Sequence, residues 1–268
     1  WIGTYGGGVL RFKDGRFEPW TAREGLDHDV IYSLYQDRRG DIWVGTAGGG
    51  LYRLRNGRFT ALTTKDGLSD NRAYAICEDH EGSLWVATYG GGLNRLKDGR
   101  FTRYGRREGL ASDIVSALYE DRRGNLWVGT YGGGLAVRRG GRFVTYTTRD
   151  GLPDNSVFSL LEDRDGSLWI GTYNGGLARL AGGKFSTYRE KDGLSSDYLL
   201  WRIFEDREGS LWVGTAGGGL NRFRDGAFAT YGTPEGLSGN VAWSVHEGKE
   251  GEIWVGTEGA GANRLHGG

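Results

Sequence analysis

The chain has 268 residues, with 34 Lys and Arg balanced by 34 Asp and Glu, 51 glycines, one cysteine and no methionine. Balanced charge without a basic block argues against a nucleic-acid or anionic-membrane surface, and a single cysteine excludes an internal disulfide. No apolar run approaches the ~18 residues of a membrane span, and so much glycine resists long helices.

The opening Trp1-Ile2-Gly3-Thr4 returns at Trp43, Trp85, Trp127, Trp169, Trp212 and Trp254, at spacings of 42, 42, 42, 42, 43 and 42 residues. A period this regular marks one supersecondary unit stacked many times. The composition does not shift along the chain, so residues 1–268 read as a single repeat domain. Because the first residue already lies inside a repeat, the chain reads as part of a longer protein, and the absence of a signal peptide carries no information.

Within the period Ile114–Asn155, Val115 to Asp121 reads as a strand bounded by turn residues, and Arg122-Arg123-Gly124-Asn125 as a tight turn. Leu126 to Thr130 is a second strand, rich in aromatic and β-branched residues. Gly132-Gly133-Gly134 reverses the chain into a third, Leu135 to Arg138. Gly140-Gly141-Arg142 turns into a fourth, Phe143 to Thr147, and Arg149 to Asn155 connects to the next unit. Four short antiparallel strands in about 42 residues predict an all-β fold, a β-propeller with strands a to d running outward from a channel. The chain starts at strand b and ends after strand c. Seven blade positions are preferred, the first and last incomplete; a six-bladed closure is the alternative, which leaves the Trp254 hairpin without a role.

The order Glu-Asp-x-x-Gly-x-Leu-Trp-Val-Gly-Thr-x-Gly-Gly-Gly-Leu-x-Arg-Leu, then Gly-x-Phe and Asp-Gly-Leu, resembles the two-component regulator propeller repeat. Glu205, Asp206, Gly209, Leu211 to Leu220, Arg222, Phe223, Gly226, Phe228 and Glu235-Gly236-Leu237 carry it in one copy. The resemblance covers essentially the whole chain. It implies a seven-bladed propeller from the periplasmic part of a bacterial hybrid sensor kinase, several of which sense polysaccharide fragments.

The recurring tryptophan reads as packing between blades. The Glu-Asp pairs at 78–79, 120–121, 162–163 and 205–206 recur too regularly for an acid/base site, which needs one pair in two environments; the aspartate is expected to accept backbone hydrogen bonds in the a–b turn. Asp163-Arg164-Asp165-Gly166 lacks the later bidentate glutamate of a calcium loop, and no helix follows the glycine triplets to hold a phosphate. His28, His80, His246 and His266 lack ligand spacing, so neither a metal nor another cofactor is implied. Cys77 reads as a small buried hydrophobe.

Function is sought where the repeats disagree. At the start of strand a stand Tyr32, Tyr74, Ser116, Phe158, Trp201 and Trp243; two residues earlier stand Val30, Arg72, Ile114, Ser156, Leu199 and Val241. The b–c turn carries Tyr5, Tyr89, Tyr131 and Tyr173, but Ala47, Ala216 and Glu258. Rings beside polar groups near a channel mouth suit a sugar; filling of the wall is the plainer reading. The single 43-residue spacing falls at Tyr198-Leu199-Leu200-Trp201-Arg202, where a bulge is expected. Arg202 occupies a slot held elsewhere by Ser33, Ala75, Ala117, Ser159 and Ser244. Tyr198, Trp201 and Arg202 are therefore the first-choice pocket, with Arg72 a second cation. The leading expectation is a non-enzymatic, extracytoplasmic sensor propeller binding an oligosaccharide or other small polar ligand. A scaffold docking a protein partner or adjacent propeller comes second, and a propeller lyase or hydrolase third.

Overall fold

The computed structural model describes residues 1–198 and 200–265; Leu199 and His266 lie outside the described residues. Seven antiparallel sheets follow one another along the chain, each in the strand order a-b-c-d. The fourth consists of Val115–Glu120, Leu126–Thr130, Leu135–Arg139 and Arg142–Tyr146. The first sheet has three strands, b to d (Ile2–Gly3, Val9–Lys13, Arg16–Trp20), and so has the last, a to c (Ala242–Glu247, Ile253–Thr257, Gly261–Leu265). Strand Ala242–Glu247 pairs with Ile253–Thr257 in a sheet of its own. The Trp254 hairpin thus has its place, and the fold is a seven-bladed β-propeller rather than a six-bladed one.

The chain forms two compact units, residues 1–130 with 136–145 and residues 131–135 with 146–268. In the first, the a strands of sheets 2, 3 and 4 pack side by side; in the second, those of sheets 5, 6 and 7 do.

Strand b is buried end to end in sheets 2 to 6, which explains its near-constant Leu-Trp-Val-Gly-Thr. Its tryptophan fills the gap to the following sheet. Trp43 packs with Leu68, Ala73, Leu84 and Val86, Trp169 with Leu194, Leu200, Leu211 and Val213, and Trp212 with Leu237, Ala242, Ile253 and Val255. Truncating such an indole costs about 3–5 kcal/mol. The glycine two residues on reflects the same closeness in the second sheet, where a Cβ on Gly45 would stand 2.5 Å from the Ala73 carbonyl oxygen of the next sheet; the third sheet accommodates Ala87 at this position.

The aspartate of each Glu-Asp pair does more than fold its turn. One carboxylate oxygen of Asp163 accepts the Ser167 amide at 2.8 Å, and the other accepts the Trp169 indole N–H at 2.7 Å. The same indole bond joins Trp43 to Asp37, Trp85 to Asp79, Trp127 to Asp121 and Trp212 to Asp206, at 2.6–2.8 Å. The glutamate reaches back to the preceding sheet. Glu78, Glu205 and Glu247 accept the backbone amides of Arg38, Arg164 and Arg207 at 2.9–3.0 Å. The seventh sheet breaks the pattern, because Gly248 stands where the others have aspartate. Glu252, four residues on, takes over the indole of Trp254 at 3.2 Å; a Cβ on Gly248 would collide with its carboxylate.

The d–a connections, read from the sequence as plain loops, each contain a 3-10 turn. An acid at its third position, such as Asp66 or Asp150, accepts the amide three residues earlier at 2.8 Å. Glycine follows with φ near +100° (Gly67, Gly151), a conformation that penalises a side chain, and then a buried leucine, Leu68 or Leu152. This is the origin of the Asp-Gly-Leu motif.

The expected bulge is present at Leu200/Arg202, but it recurs in every sheet that has a strand a, for instance at Ile31/Ser33 and Ala242/Ser244. The inserted residue lies just before the strand. The Glu190 amide meets the Asp197 side chain across seven residues, as the Thr148 amide meets Asn155, so the extra residue falls after Asp197.

Three outcomes test this framework. Asp163→Ala strands two buried donors and should cost about 3 kcal/mol in denaturant unfolding, while Asp165→Ala, in the exposed part of the same turn, should change little. In the seventh sheet, Gly248→Asp alone and Glu252→Ser alone should each lower the unfolding temperature, and the pair together should recover it; additive losses would refute the substitution of one carboxylate for the other. Burial resists ionisation of Asp121, but the Asn125 and Trp127 side chains and the turn amides outweigh it and hold its pKa below the usual carboxylate value. Its contribution is therefore complete above the unfolded-state value of about 3.9 and lost as pH falls through the lower folded value. The stability gap between wild type and Asp121→Asn should close between about pH 5 and pH 2.

Candidate ligand-binding aromatic faces

The candidate site lies at the head of strand a, beside the bulge, where such irregularities re-aim side chains. In the seventh sheet Trp243 and Ser244 are both exposed. Along strand a, the residue before the bulge is buried (Ala73, Val157, Leu200, Ala242) and the next is at least partly open.

In the first unit this gathers three tyrosines. Tyr32 and Tyr74 lie 4.4 Å apart by ring centroid, and Tyr89 from the b–c turn stacks on Tyr74 at 5.5 Å. Burial first, then the Tyr32 phenol beside it, push the Tyr74 pKa well above the ordinary tyrosine range. Arg72 lies over Tyr89 at 5.0 Å, with its charge already met by Asp70 at 2.6 Å. Ser116 is buried and bonds the Gly129 carbonyl at 3.2 Å, so it presents no polar group for a ligand.

In the second unit six rings join. Phe158 contacts Tyr131, Tyr173 and Trp201 at 5.5–6.1 Å. Trp201 stacks on Trp243 at 4.4 Å with the planes 25° apart. Tyr198, the residue at the insertion, meets Tyr173 edge-on at 5.1 Å, and the two hydroxyls are 3.1 Å apart. Tyr131, Tyr198 and Trp243 each keep about two-fifths of their surface accessible (42, 41 and 42%). The Trp201 indole nitrogen is covered and has no acceptor. Tyr5 is 83% exposed and makes no ring contact among the described residues.

Arg202 differs from Arg72. It is exposed to solvent, yet crowded by the surrounding chain, which lowers its pKa from the usual value; guanidinium remains charged regardless. It makes no hydrogen bond or ion pair with any described residue. Elsewhere its slot is filled by a small side chain facing the strand b glycine, as Ser159 does while bonding the Leu200 carbonyl at 2.8 Å. At Gly214 the nearest atoms belong instead to Ala242. Its neighbours on the adjoining strand a are Ser244 and His246, both exposed; burial first, then the Arg202 charge, depress the His246 pKa.

The remaining candidates are dispersed. His28 lies against the glycine triplet at Gly48 and Gly49, whereas His80 sits at an Asp turn, 2.6 Å from Glu120. Among the described residues no three His, Cys, Asp or Glu side chains are grouped to hold a metal ion. The Cys77 thiol is pushed up to about 12, mainly by burial, and is therefore not a nucleophile at neutral pH. Clefts of about 470 Å³ beside Trp1, Arg11 and Arg55 and about 390 Å³ around His80 and Arg123 lie at the Asp-turn end of the first unit's sheets. Two of the groups lining them are already paired, Arg55 with Asp41 and His80 with Glu120.

Sequence reasoning missed the locks beneath these faces. Asn94, Asn221 and Asn263 on strand c bond Ser69, Ser195 and Ser238 of the d–a connection. In the second sheet Tyr52 and Asp27 bond instead. The signal was available: each strand c asparagine is matched by a serine 25 or 26 residues earlier, and where Tyr52 replaces it, Asp27 replaces the serine.

Two-component regulator propeller repeats match residues 25–48, 67–90, 109–132, 151–174, 193–217 and 236–259, more than half of the chain. No curated protein matches it in sequence. Among solved structures it is similar to the extracellular domain of the hybrid two component system BT4673 from B. thetaiotaomicron, with 24% identity, TM-score 0.69, and 88% of this chain and 36% of that one covered. It is similar also to PorZ, a surface component of the type-IX secretion system of Porphyromonas gingivalis (16% identity, TM-score 0.69, covering 89% and 38%). A third is virginiamycin B lyase from Staphylococcus aureus (16%, TM-score 0.68, covering 88% and 81%). At these identities the likeness is one of fold, and the chain spans about a third of the BT4673 domain. The six matched repeats, in register with six of the seven sheets, show that the chain belongs to the two component regulator propeller family.

Proposed function

We propose that the array works as one propeller domain, a non-enzymatic sensing module of an extracytoplasmic receptor, and that it binds a saccharide on the aromatic face of its second unit. The observation that carries the reading is the Trp201–Trp243 stack with its outer indole open, rimmed by Tyr131, Tyr173 and Tyr198. The C–H face of a pyranose packs on such a ring, and hydroxyls at the rim supply the few directional contacts that set orientation. Tyr32, Tyr74, Tyr89 and Arg72 form a smaller face of the same chemistry. Family membership supports a receptor module, and the BT4673 structure, an extracellular domain, supports a location outside the cytoplasm.

Calorimetric titration with a panel of neutral and acidic oligosaccharides tests the reading. At least one should bind, and Trp243→Ala and Tyr198→Ala should each weaken it by tenfold or more, while Tyr5→Ala leaves it unchanged. A wild-type protein that binds no saccharide sinks the proposal.

A further inference from the structure

Arg202 is anomalous in three respects. It replaces a small residue in a slot where the sheets otherwise require one, it is crowded by protein, and no carboxylate among the described residues neutralises it. An exposed guanidinium with no partner among the described residues keeps its donors free, and its presence in the one repeat that also carries the insertion points to a partner from outside the chain. The adjoining strand supplies donors and no competing acid: Ser244 and His246 are exposed there, one row on from the stacked indoles. The nearest glutamates of these strands turn away. Glu247 accepts the Arg207 amide at 3.0 Å, and Glu205 accepts that of Arg164 at 3.0 Å.

We infer that Arg202, with Ser244 and His246, forms a subsite for an anionic substituent on the ligand, the carboxylate of a uronic acid, whose ring rests on Trp243. The guanidinium presents two parallel N–H donors that match the two oxygens of a carboxylate, and partial exclusion of water strengthens the pair beyond its worth at an open surface. Arg72 cannot serve the same purpose, because Asp70 already occupies its donors. The subsite rests on the saccharide reading above and narrows it to acidic sugars.

Arg202→Ser restores the residue that the slot holds in three other sheets, so the variant should fold, with an unfolding temperature at or above that of the wild type. Three oligosaccharides of equal length and linkage are titrated into both proteins: neutral, uronate-bearing and sulfated. The wild type should bind the uronate at least tenfold more tightly than the neutral sugar, and Arg202→Ser should abolish that preference while leaving neutral binding within about twofold. A preference for the sulfated sugar that is lost in Arg202→Ser would replace carboxylate by sulfate and overturn the uronate assignment. An acid preference that survives in Arg202→Ser overturns the subsite itself. Should no oligosaccharide bind, free glucuronate and inorganic sulfate separate the two readings. A saturable quench of tryptophan fluorescence by glucuronate, absent in Arg202→Ser, would uphold the anion subsite while the saccharide face fails. No Arg202-dependent response to either ion would overturn the subsite.

Discussion

The carboxylate that each aspartate offers to a buried indole couples two scales of this structure. On one side it accepts the amides of the a–b turn and sets the turn's shape; on the other it holds the indole N–H and so fixes the rotation of the ring that packs against the next sheet. An unpaired indole nitrogen between two sheets would be a buried donor without an acceptor, which is costly. Turn geometry and inter-sheet packing therefore cannot vary independently. The seventh sheet demonstrates the constraint: with aspartate replaced by Gly248, the indole still finds a carboxylate, that of Glu252.

A scaffold held so repetitively leaves few positions free to differ, and the chain uses them at the head of strand a. The bulge sits there without disturbing the ladder below. Aromatic residues and one arginine occupy these places in the second unit, above a strand b that barely changes. An exposed indole and an unsatisfied guanidinium contribute nothing to folding, and natural proteins tolerate such groups where binding benefits. Arg72 shows the contrasting solution: a cation in a comparable place, neutralised by Asp70 two residues away.

Much of the architecture was legible from residue order. Regular tryptophan spacing, alternation in short runs and glycine-rich turns are local signals, and they led to seven sheets with incomplete ends. Recurrence in every repeat likewise separated Trp127 and Asp121 from any unique site. The 3-10 turns were written in the sequence as an acid, a glycine and a leucine, but their meaning depends on the acid folding back on an amide three residues earlier. The asparagine–serine locks were visible only as paired changes between positions 25 or 26 apart. The insertion at Tyr198–Leu199 pointed to a bulge in one repeat, whereas every strand a contains one, so the bulge does not depend on the extra residue.

The sequence by itself determined the period, the strands and the buried faces, because each depends on the character of residues within one repeat. Only the tertiary structure decided which variable residues meet. Tyr131, Phe158, Tyr173, Tyr198, Trp201 and Trp243 come from strand a of sheets 5 to 7, the b–c turns of sheets 4 and 5 and the connection into sheet 6, and their rings touch because these a strands lie side by side. The same packing left Arg202 charged, crowded and unpaired, a property of its surroundings that no residue order states.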